Sequence, residues 1–328
     1  MKGDLALMYD GPFSLYFAGT GTTQAREKIR ELSCDQLLSQ LNERSAIRGW
    51  VKYLEEHPEC HSKLFVDSGA WTAYTKGTDI DVDEYTDFAN EVGEHVTVFA
   101  AVDKIPGQFG KPVTDEDRAA APEISWNNYI QMVNRIKPEY RDKVLPTFHY
   151  GEDFKYLRQI LEYKFEDGGQ VAYMGLGAIA DLDSASDRYN WFEECFKVIK
   201  NSSNPNIKVH AFGMTALNIL KDFPFASADS TTWVMCSSHG SIIVKDKKIR
   251  VGSKSWTKPD SIFNKNPAVK EEVEKVIKDR GYTLEQLSED YIARATFNVL
   301  SLKEWVDSYQ YVPKQHTVKK DLWGMHSR

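Results

Sequence analysis

No apolar run in this chain approaches the roughly 20 residues needed to cross a bilayer. The opening stretch "MKGDLALMYDGPF" carries an acid at Asp4 and lacks the apolar core of a signal peptide. Both absences point to a soluble cytoplasmic protein with no membrane partner. Cysteine is scarce: Cys34, Cys60, Cys195 and Cys236 are scattered among 328 residues with no CxxC pair. That spacing argues against a disulfide framework and fits reduced thiols. Cys60-His61 and Cys236-x-x-His239 are weak metal candidates, each better explained as a buried thiol beside a polar histidine, so no metal is expected. Excess positive charge is missing too. Lys and Arg number 41 against 48 Asp and Glu, for a net charge of −7, which argues against nonspecific coating of nucleic acid. No GxGxxG follows the first strand-like run, so a dinucleotide fold has little support. Internal repeats, low-complexity tracts and a marked linker are all absent, and residues 1–328 read as one domain.

What is present is a rhythm. Strand-like runs alternate with helix-like segments. "SLYFAGT" precedes "SCDQLLSQLNERSAIRGWVKYLEEH", which has helical spacing at Leu37, Leu38, Leu41, Ile47, Val51 and Leu54. "KLFVDSG" precedes a helix opening near Asp83. "HVTVFAAVD" leads through a loop with Pro106, Gly107, Gly110 and Pro112 to a helix "SWNNYIQMVNRIK", with Ser125 its expected N-cap. "KVLPTFH", "VAYMGLGAI", "KVHAFGM" and "FASADST" continue the series. Seven such alternations favour an α/β fold, a closed (β/α)8 TIM-type barrel, over an open sheet. The eighth strand is not obvious and is expected from a late segment. After Ser230 the pattern changes. "GSIIVKDKKIRVGS" reads as a β-hairpin insertion turning near Asp246-Lys247, followed by C-terminal helices over about 267–310 and a tail from about Pro313. Within 241–266 the bases Lys245, Lys247, Lys248, Arg250, Lys254, Lys258 and Lys265 face only Asp246 and Asp260. A solvated hairpin is the plain reading of this patch, and a phosphate-tracking surface is the sharper one.

In such barrels the chemistry lies at the C-terminal ends of the strands. Reading those ends gives Asp67 and Ser68, Asp103, His149, Gly175-Leu176-Gly177, His210 with Gly213-Met214-Thr215, and Asp229-Ser230. An aspartate alone is usually a cap or a turn. Three at one mouth are better explained as a site, and their mutual repulsion raises some of their pKa values. One carboxylate as nucleophile with a second as acid/base suits cleavage of a glycosidic bond with retention.

The motifs behind these residues carry a resemblance. "VDSGAW", "FAAVDKIPG", "PTFHYGEDFKYL", "YMGLGAIA", "HAFGMT" and "SADSTTW" resemble, in order and spacing, the signature segments of tRNA-guanine transglycosylases over Asp67 to Trp233, about half the chain. The sequence departs from the usual bacterial members. His149 stands where a glutamine is usual, and only Cys236 and His239 lie where a C-x-C-x-x-C…H zinc site would be. It is most similar to the phage and genomic-island relatives that insert 7-deazaguanines into DNA. The resemblance implies replacement of guanine in DNA by a free 7-deazaguanine base of the preQ0 type, acting in a bacterial or phage-infected host cytoplasm. It makes Asp229 the nucleophile, Asp67 the general acid/base and Asp103 the reader of the base's donor edge. Ser68, His149, Gly175, Gly177 and Met214 would line the base, with Phe148 beside them. Lys245, Lys247, Lys248, Arg250 and Lys254 would hold DNA phosphates. No cofactor is required, structural zinc is not expected, and a homodimer is compatible with this reading. Trp233 and Trp256 read as core, with stacking on a displaced base as the alternative. The other readings are a tRNA-guanine transglycosylase, a retaining glycoside hydrolase on the same barrel, and an inactive nucleic-acid-binding module.

Overall fold

A computed structural model describes residues 11–19, 22–177, 184–214, 216–245, 247–259 and 261–309. The residues before Gly11, residues 178–180 of the glycine-rich segment, Thr215, Asp246, Asp260 and the tail from Pro313 lie outside the described residues. Nine parallel strands form one sheet: β1 (Ser14–Phe17), β2 (Gln36–Ser39), β3 (Leu64–Asp67), β4 (Val98–Ala100), β5 (Val144–Leu145), β6 (Thr147–His149), β7 (Tyr173–Gly177), β8 (Lys208–Ala211) and β9 (Ser227–Ser230). Their order is β5-β4-β3-β2-β1-β9-β8-β7-β6.

β5 and β6 sit at opposite ends of that order, yet only Pro146 separates them. Proline has no N–H to give to a ladder. Its carbonyl accepts from Gly175 N (2.9 Å), while the Leu145 carbonyl accepts from Ala101 N (2.9 Å). One extended segment therefore bonds backward to β4 through its first half and forward to β7 through its second. This closes the ring, and the nine strands are an eight-stranded (β/α) barrel with one strand interrupted.

The eighth strand is not a late segment. It is β2, Gln36–Ser39, inside the stretch whose leucines fit helical spacing, with the helix proper starting at Gln40. Leu37 and Leu38 satisfy either period in so short a run, and pairing with β1 and β3 decides in favour of strand. Three boundaries also differ from expectation. The helix expected from Ser125 runs Asp115–Arg135 and is capped eleven residues earlier, at Thr114, through a capping box with Asp117. Ser125 is internal, and its hydroxyl accepts from Lys104 N (2.8 Å). The helix near Asp83 spans Val82–Val92 with Asp81 as its cap, and a separate short helix, Ala70–Lys76, follows β3. β4 ends at Ala100, so Asp103 lies three residues beyond it, in the loop.

The barrel interior is filled by Tyr16, Phe65, Val98, Ala100, Leu145, Tyr173 and Ala226, with Leu37 and Phe212 against them. Outward-facing apolar residues such as Leu15, Leu38, Val66 and Leu176 pack under the helices in a larger core. The hairpin forms as expected, β10 (Ser241–Val244) against β11 (Lys247–Arg250), and shares a small core with the helices Pro267–Asp279 and Tyr291–Asp307. The last helical stretch is broken at Asp290, which accepts from Ile292 and Ala293 N–H and so caps the second piece.

Buried Asn298 ties these outer parts to the barrel. Its Oδ1 accepts from Ile243 N (2.6 Å), and its Nδ2 donates to the Trp233 carbonyl (3.2 Å), Ser237 Oγ (2.9 Å) and the Ser241 carbonyl (3.1 Å). Arg294 adds a bond from Nε to the Ser237 carbonyl (3.0 Å). Both anchor the short helix Thr232–Ser238 that follows β9. Asn298→Leu takes away the side-chain partner of the buried Ile243 N–H and of the Ser241 carbonyl, while Ser237 Oγ and the Trp233 carbonyl keep their bond to each other (2.7 Å). It is expected to lower unfolding free energy by about 2–4 kcal/mol, read as a shift of the denaturant midpoint at unchanged slope.

Candidate active site

The strand ends bring together the residues the sequence singles out. Asp67 is the last residue of β3, and its Oδ2 accepts from Gly69 N (2.9 Å). This tight turn requires glycine. Gly69 has φ +86°, and a Cβ there would come within 2.5 Å of Leu41 Cβ and 2.8 Å of Ser39 Oγ. Ser68 is buried, with its carbonyl accepting from Gln40 Nε2 (2.9 Å), so its main role here is to fix the turn. Below, the fully buried Tyr85 donates its hydroxyl to the Val66 (3.2 Å) and Ala100 (3.1 Å) carbonyls, pinning the tops of β3 and β4 together. Burial pushes the Asp67 carboxyl up to about 7. The Gly69 N–H opposes that rise, while the charges of Asp103, Asp229 and Glu43 add to it. The three aspartates thus share one mouth and feel one another.

Asp103 is gripped by His149. His149 Nε2 meets Asp103 Oδ2 at 3.2 Å, and Nδ1 meets Glu152 Oε1 at 3.2 Å. Glu152 Oε2 also accepts from His149 N (3.1 Å), which fixes the carboxylate under the ring. Burial alone would lower the imidazole. The bonds to Asp103 and Glu152, with their charges, outweigh it and carry His149 up to about 10. The ring is therefore an imidazolium between two carboxylates at neutral pH, with both nitrogens donating. Glu152 was not singled out in the sequence, although its position three residues after the strand-end histidine is a usable signal.

The glycines of β7 make room for protein rather than leaving an open face. A Cβ on Gly177 would lie 2.9 Å from His149 Cδ2, and one on Gly175 would lie 2.4 Å from Phe212 Cε2. Gly177 admits the imidazolium, and Gly175 admits the Phe212 ring.

Asp229, in β9, is 8% exposed. Its Oδ1 accepts from Gly213 N (2.7 Å) and faces His210 Nε2 (3.3 Å). Both of these contacts fall on Oδ1, and neither reaches Oδ2. His210 is wholly buried on β8, its ring 4.7 Å from Phe65 and 4.5 Å from Phe212.

The remaining expected residues lie elsewhere. Met214 and Phe148 are buried in the outer core. Met214 lines a separate cavity outside the barrel wall with Ser230, Thr232, Lys245 and Lys248. Trp233 is core, 1% exposed, with its indole N–H on the Ala18 carbonyl (2.8 Å). Trp256 packs against the hairpin cluster. The exposed rings at this end are others. Trp71 (64% exposed) and Phe109 (59%) flank Tyr74, at 5.8 and 5.9 Å between centroids. They belong to the segments that follow Asp67 and Asp103. Of the basic residues, Lys245 pairs with Glu272 and Lys254 with Glu289 (3.8 Å). Lys247, Lys248 and Arg250 are exposed on β11. Cys236 is buried, while exposed His239 bonds through Nδ1 to the Met235 carbonyl (2.8 Å). Among the described residues no three His, Cys, Asp or Glu side chains converge as metal ligands, and no helix is long and apolar enough to span a membrane.

The raised groups set a pH dependence. A carboxyl raised from 3.8 to about 7 contributes its full stability below pH 3.8 and loses it as pH rises toward 7. An imidazole raised from 6.5 to about 10 contributes its share below pH 6.5 and loses it as pH rises through 10. Asp67→Asn, a permanently neutral mimic of the protonated acid, is expected to unfold at higher denaturant than wild type at pH 8. The gain is on the order of 2 kcal/mol once solvent access to the carboxylate is allowed for, and it vanishes near pH 4. Equal stability of the two proteins at pH 8 would show that Asp67 is not raised. No protein-family model matches this chain, and no curated protein matches it.

Proposed function

We propose that this protein is a base-exchange transglycosylase that replaces guanine in DNA with a 7-deazaguanine of the preQ0 type through a covalent aspartyl–deoxyribosyl intermediate. The observation that carries the reading is the pairing of two unlike carboxylates at one barrel mouth. Asp229 is held by donors on a single oxygen, and Asp67 is raised to about 7 beside it. One is presented as a nucleophile and the other as an acid/base that exchanges a proton near neutral pH. The resemblance of the six motifs supplies the substrate.

In the first step Asp229 Oδ2 attacks C1′ of the target nucleotide. The C1′–N9 bond breaks, its electron pair goes to the departing guanine, and protonated Asp67 supplies the proton. In the second step Asp67 takes the N9 proton of the incoming base, N9 attacks C1′, and the C1′–Oδ2 pair returns to Asp229. One N-glycosidic bond replaces another, so no energy source is consumed. Asp103, locked through Oδ2 by His149, has Oδ1 left to accept from the N1–H and 2-amino edge shared by guanine and its deaza analogue. The target must leave its stack to reach the mouth, and the exposed Trp71 and Phe109 rings, with half-buried Tyr74 between them, offer a surface for the bases beside it. Exposed Lys247, Lys248 and Arg250 suit backbone phosphates.

Labelled guanine and preQ0 offered with DNA, and separately with tRNA, test the reading. Nucleoside mass spectrometry is expected to find the label in DNA, with a DNA–protein adduct trapped on a denaturing gel. Label in tRNA alone would move the assignment to the tRNA enzyme, and sugar release without added base would move it to a hydrolase. Asp229→Ala is expected to abolish the adduct and lower exchange by at least about a thousandfold. Asp67→Asn is expected to slow guanine release by about a hundredfold or more. Full activity in either variant removes its assigned role.

A further inference from the structure

Behind Asp229 lies a buried polar chain that none of the roles above uses. His210 Nε2 faces Asp229 Oδ1 at 3.3 Å, and His210 Nδ1 is hydrogen-bonded to Ser227 Oγ. Ser227 Oγ in turn is hydrogen-bonded to the Tyr173 hydroxyl. The chain crosses three adjacent strands, β9, β8 and β7, and runs from the mouth down into the barrel. His210 and Ser227 are at most 1% exposed and Tyr173 is 8% exposed. Four polar groups held in an otherwise apolar interior are costly unless each donor meets an acceptor.

We infer that His210 is a positioning residue for the nucleophile, held as the neutral Nε2–H tautomer by a one-way hydrogen-bond chain from Tyr173 through Ser227. This rests on Asp229 being the nucleophile. For a neutral ring the direction follows from donor counting. An ionised carboxylate only accepts, so the nitrogen facing Asp229 Oδ1 carries the hydrogen. In the neutral ring Nδ1 is then a bare acceptor, and the Ser227 hydroxyl must donate to it. Having given its hydrogen away, Ser227 Oγ accepts, and the Tyr173 hydroxyl donates. Every hydrogen in the chain points toward Asp229. The opposite tautomer would set the Nε2 lone pair against a carboxylate lone pair.

The consequence lies on Oδ1. Gly213 N–H and His210 Nε2–H both end on that oxygen, and they turn Oδ2 toward the reacting carbon. When Oδ2 bonds to C1′, Oδ1 becomes the carbonyl oxygen of the ester. When the second base displaces the ester, the returning electron pair spreads onto Oδ1, where both donors already wait. The chain therefore acts on transition states rather than on substrate binding, and its removal should change kcat with little effect on KM. Asp67 across the mouth, Tyr173 at the far end of the chain and Tyr16, 6.2 Å from the His210 ring, are the other ionisable groups around this assembly.

Two measurements on the full chain test this. Nitrogen-15 NMR of the histidine rings, with His210 assigned by its loss in His210→Gln, should show at pH 7 a protonated Nε2 and a bare Nδ1. A proton on Nδ1, alone or together with Nε2, overturns the inference. Base-exchange kinetics are the second measurement. Ser227→Ala is expected to lower kcat roughly tenfold and His210→Gln roughly a hundredfold, with KM within about twofold. Tyr173→Phe should fall between Ser227→Ala and wild type, and Ser227→Thr, which keeps the hydroxyl, should recover most of the loss. A chain serving packing alone predicts lower thermal midpoints at wild-type kcat, and that result in Ser227→Ala sinks the proposal. Should His210→Gln fail to fold, the His210 ring signals are assigned by their shift in Ser227→Ala, and that spectrum with the kinetics of the two remote variants still decides. Failure of the wild type to exchange any base refutes the proposed function instead, and the tautomer then stands or falls by NMR.

Discussion

Three carboxylates repel one another in a mouth only partly open to water, and the surrounding structure answers that repulsion. Each acid is held through one oxygen. Gly69 N–H takes Asp67 Oδ2, His149 takes Asp103 Oδ2, and Gly213 N–H with His210 takes Asp229 Oδ1. The donors differ in kind and strength. Asp67 has a single backbone donor and is the one pushed up to about 7. Asp103 faces an imidazolium braced from behind by Glu152. One shared electrostatic cost is thereby converted into three distinct chemical characters, which is the condition for dividing labour among like residues.

That arrangement needs a rigid floor, which the barrel supplies. Phe65, Leu145, Tyr173 and Phe212 fill the interior beneath the acids, and the Gly175 position lets the Phe212 ring lie against β7. The same apolar filling that excludes water makes the Tyr173–Ser227–His210 chain costly unless fully satisfied, so its direction is strongly specified. Tyr85 does similar work between β3 and β4, spending its hydroxyl on two carbonyls just below Asp67 and Asp103. Closure of the ring rests on a proline. Pro146 interrupts one strand, whose two halves then serve neighbours on opposite sides.

The outer elements act on the site through its supports. Asn298 and Arg294 hold the helix Thr232–Ser238, the element that leaves β9 immediately after Asp229 and Ser230. The hairpin shares the Asn298 bonds through Ile243 and Ser241. Its exposed Lys247, Lys248 and Arg250 are thus fixed relative to β9 by buried polar contacts.

The sequence by itself determined the alternation of strands and helices, the barrel class and the set of polar strand ends, because side-chain period and turn chemistry are local properties. Asp67, Asp103, His149 and Asp229 could be read as one cluster from their recurrence at the ends of apolar runs. β2 could not, since four residues with two leucines satisfy a helix or a strand until a partner pairs with them. Nor could the helix start at Thr114, with Ser125 suggesting a later one. Spatial packing alone settles that Asp103 and Glu152 together set the charge of His149, that Phe212 takes the space at Gly175, and that Trp71 and Phe109 are exposed while Trp233 is core. It alone brought Tyr173 and Ser227, 54 residues apart in the chain, into contact behind Asp229. Those relations depend on neighbours in space, and closing a ring of strands is what makes distant residues neighbours.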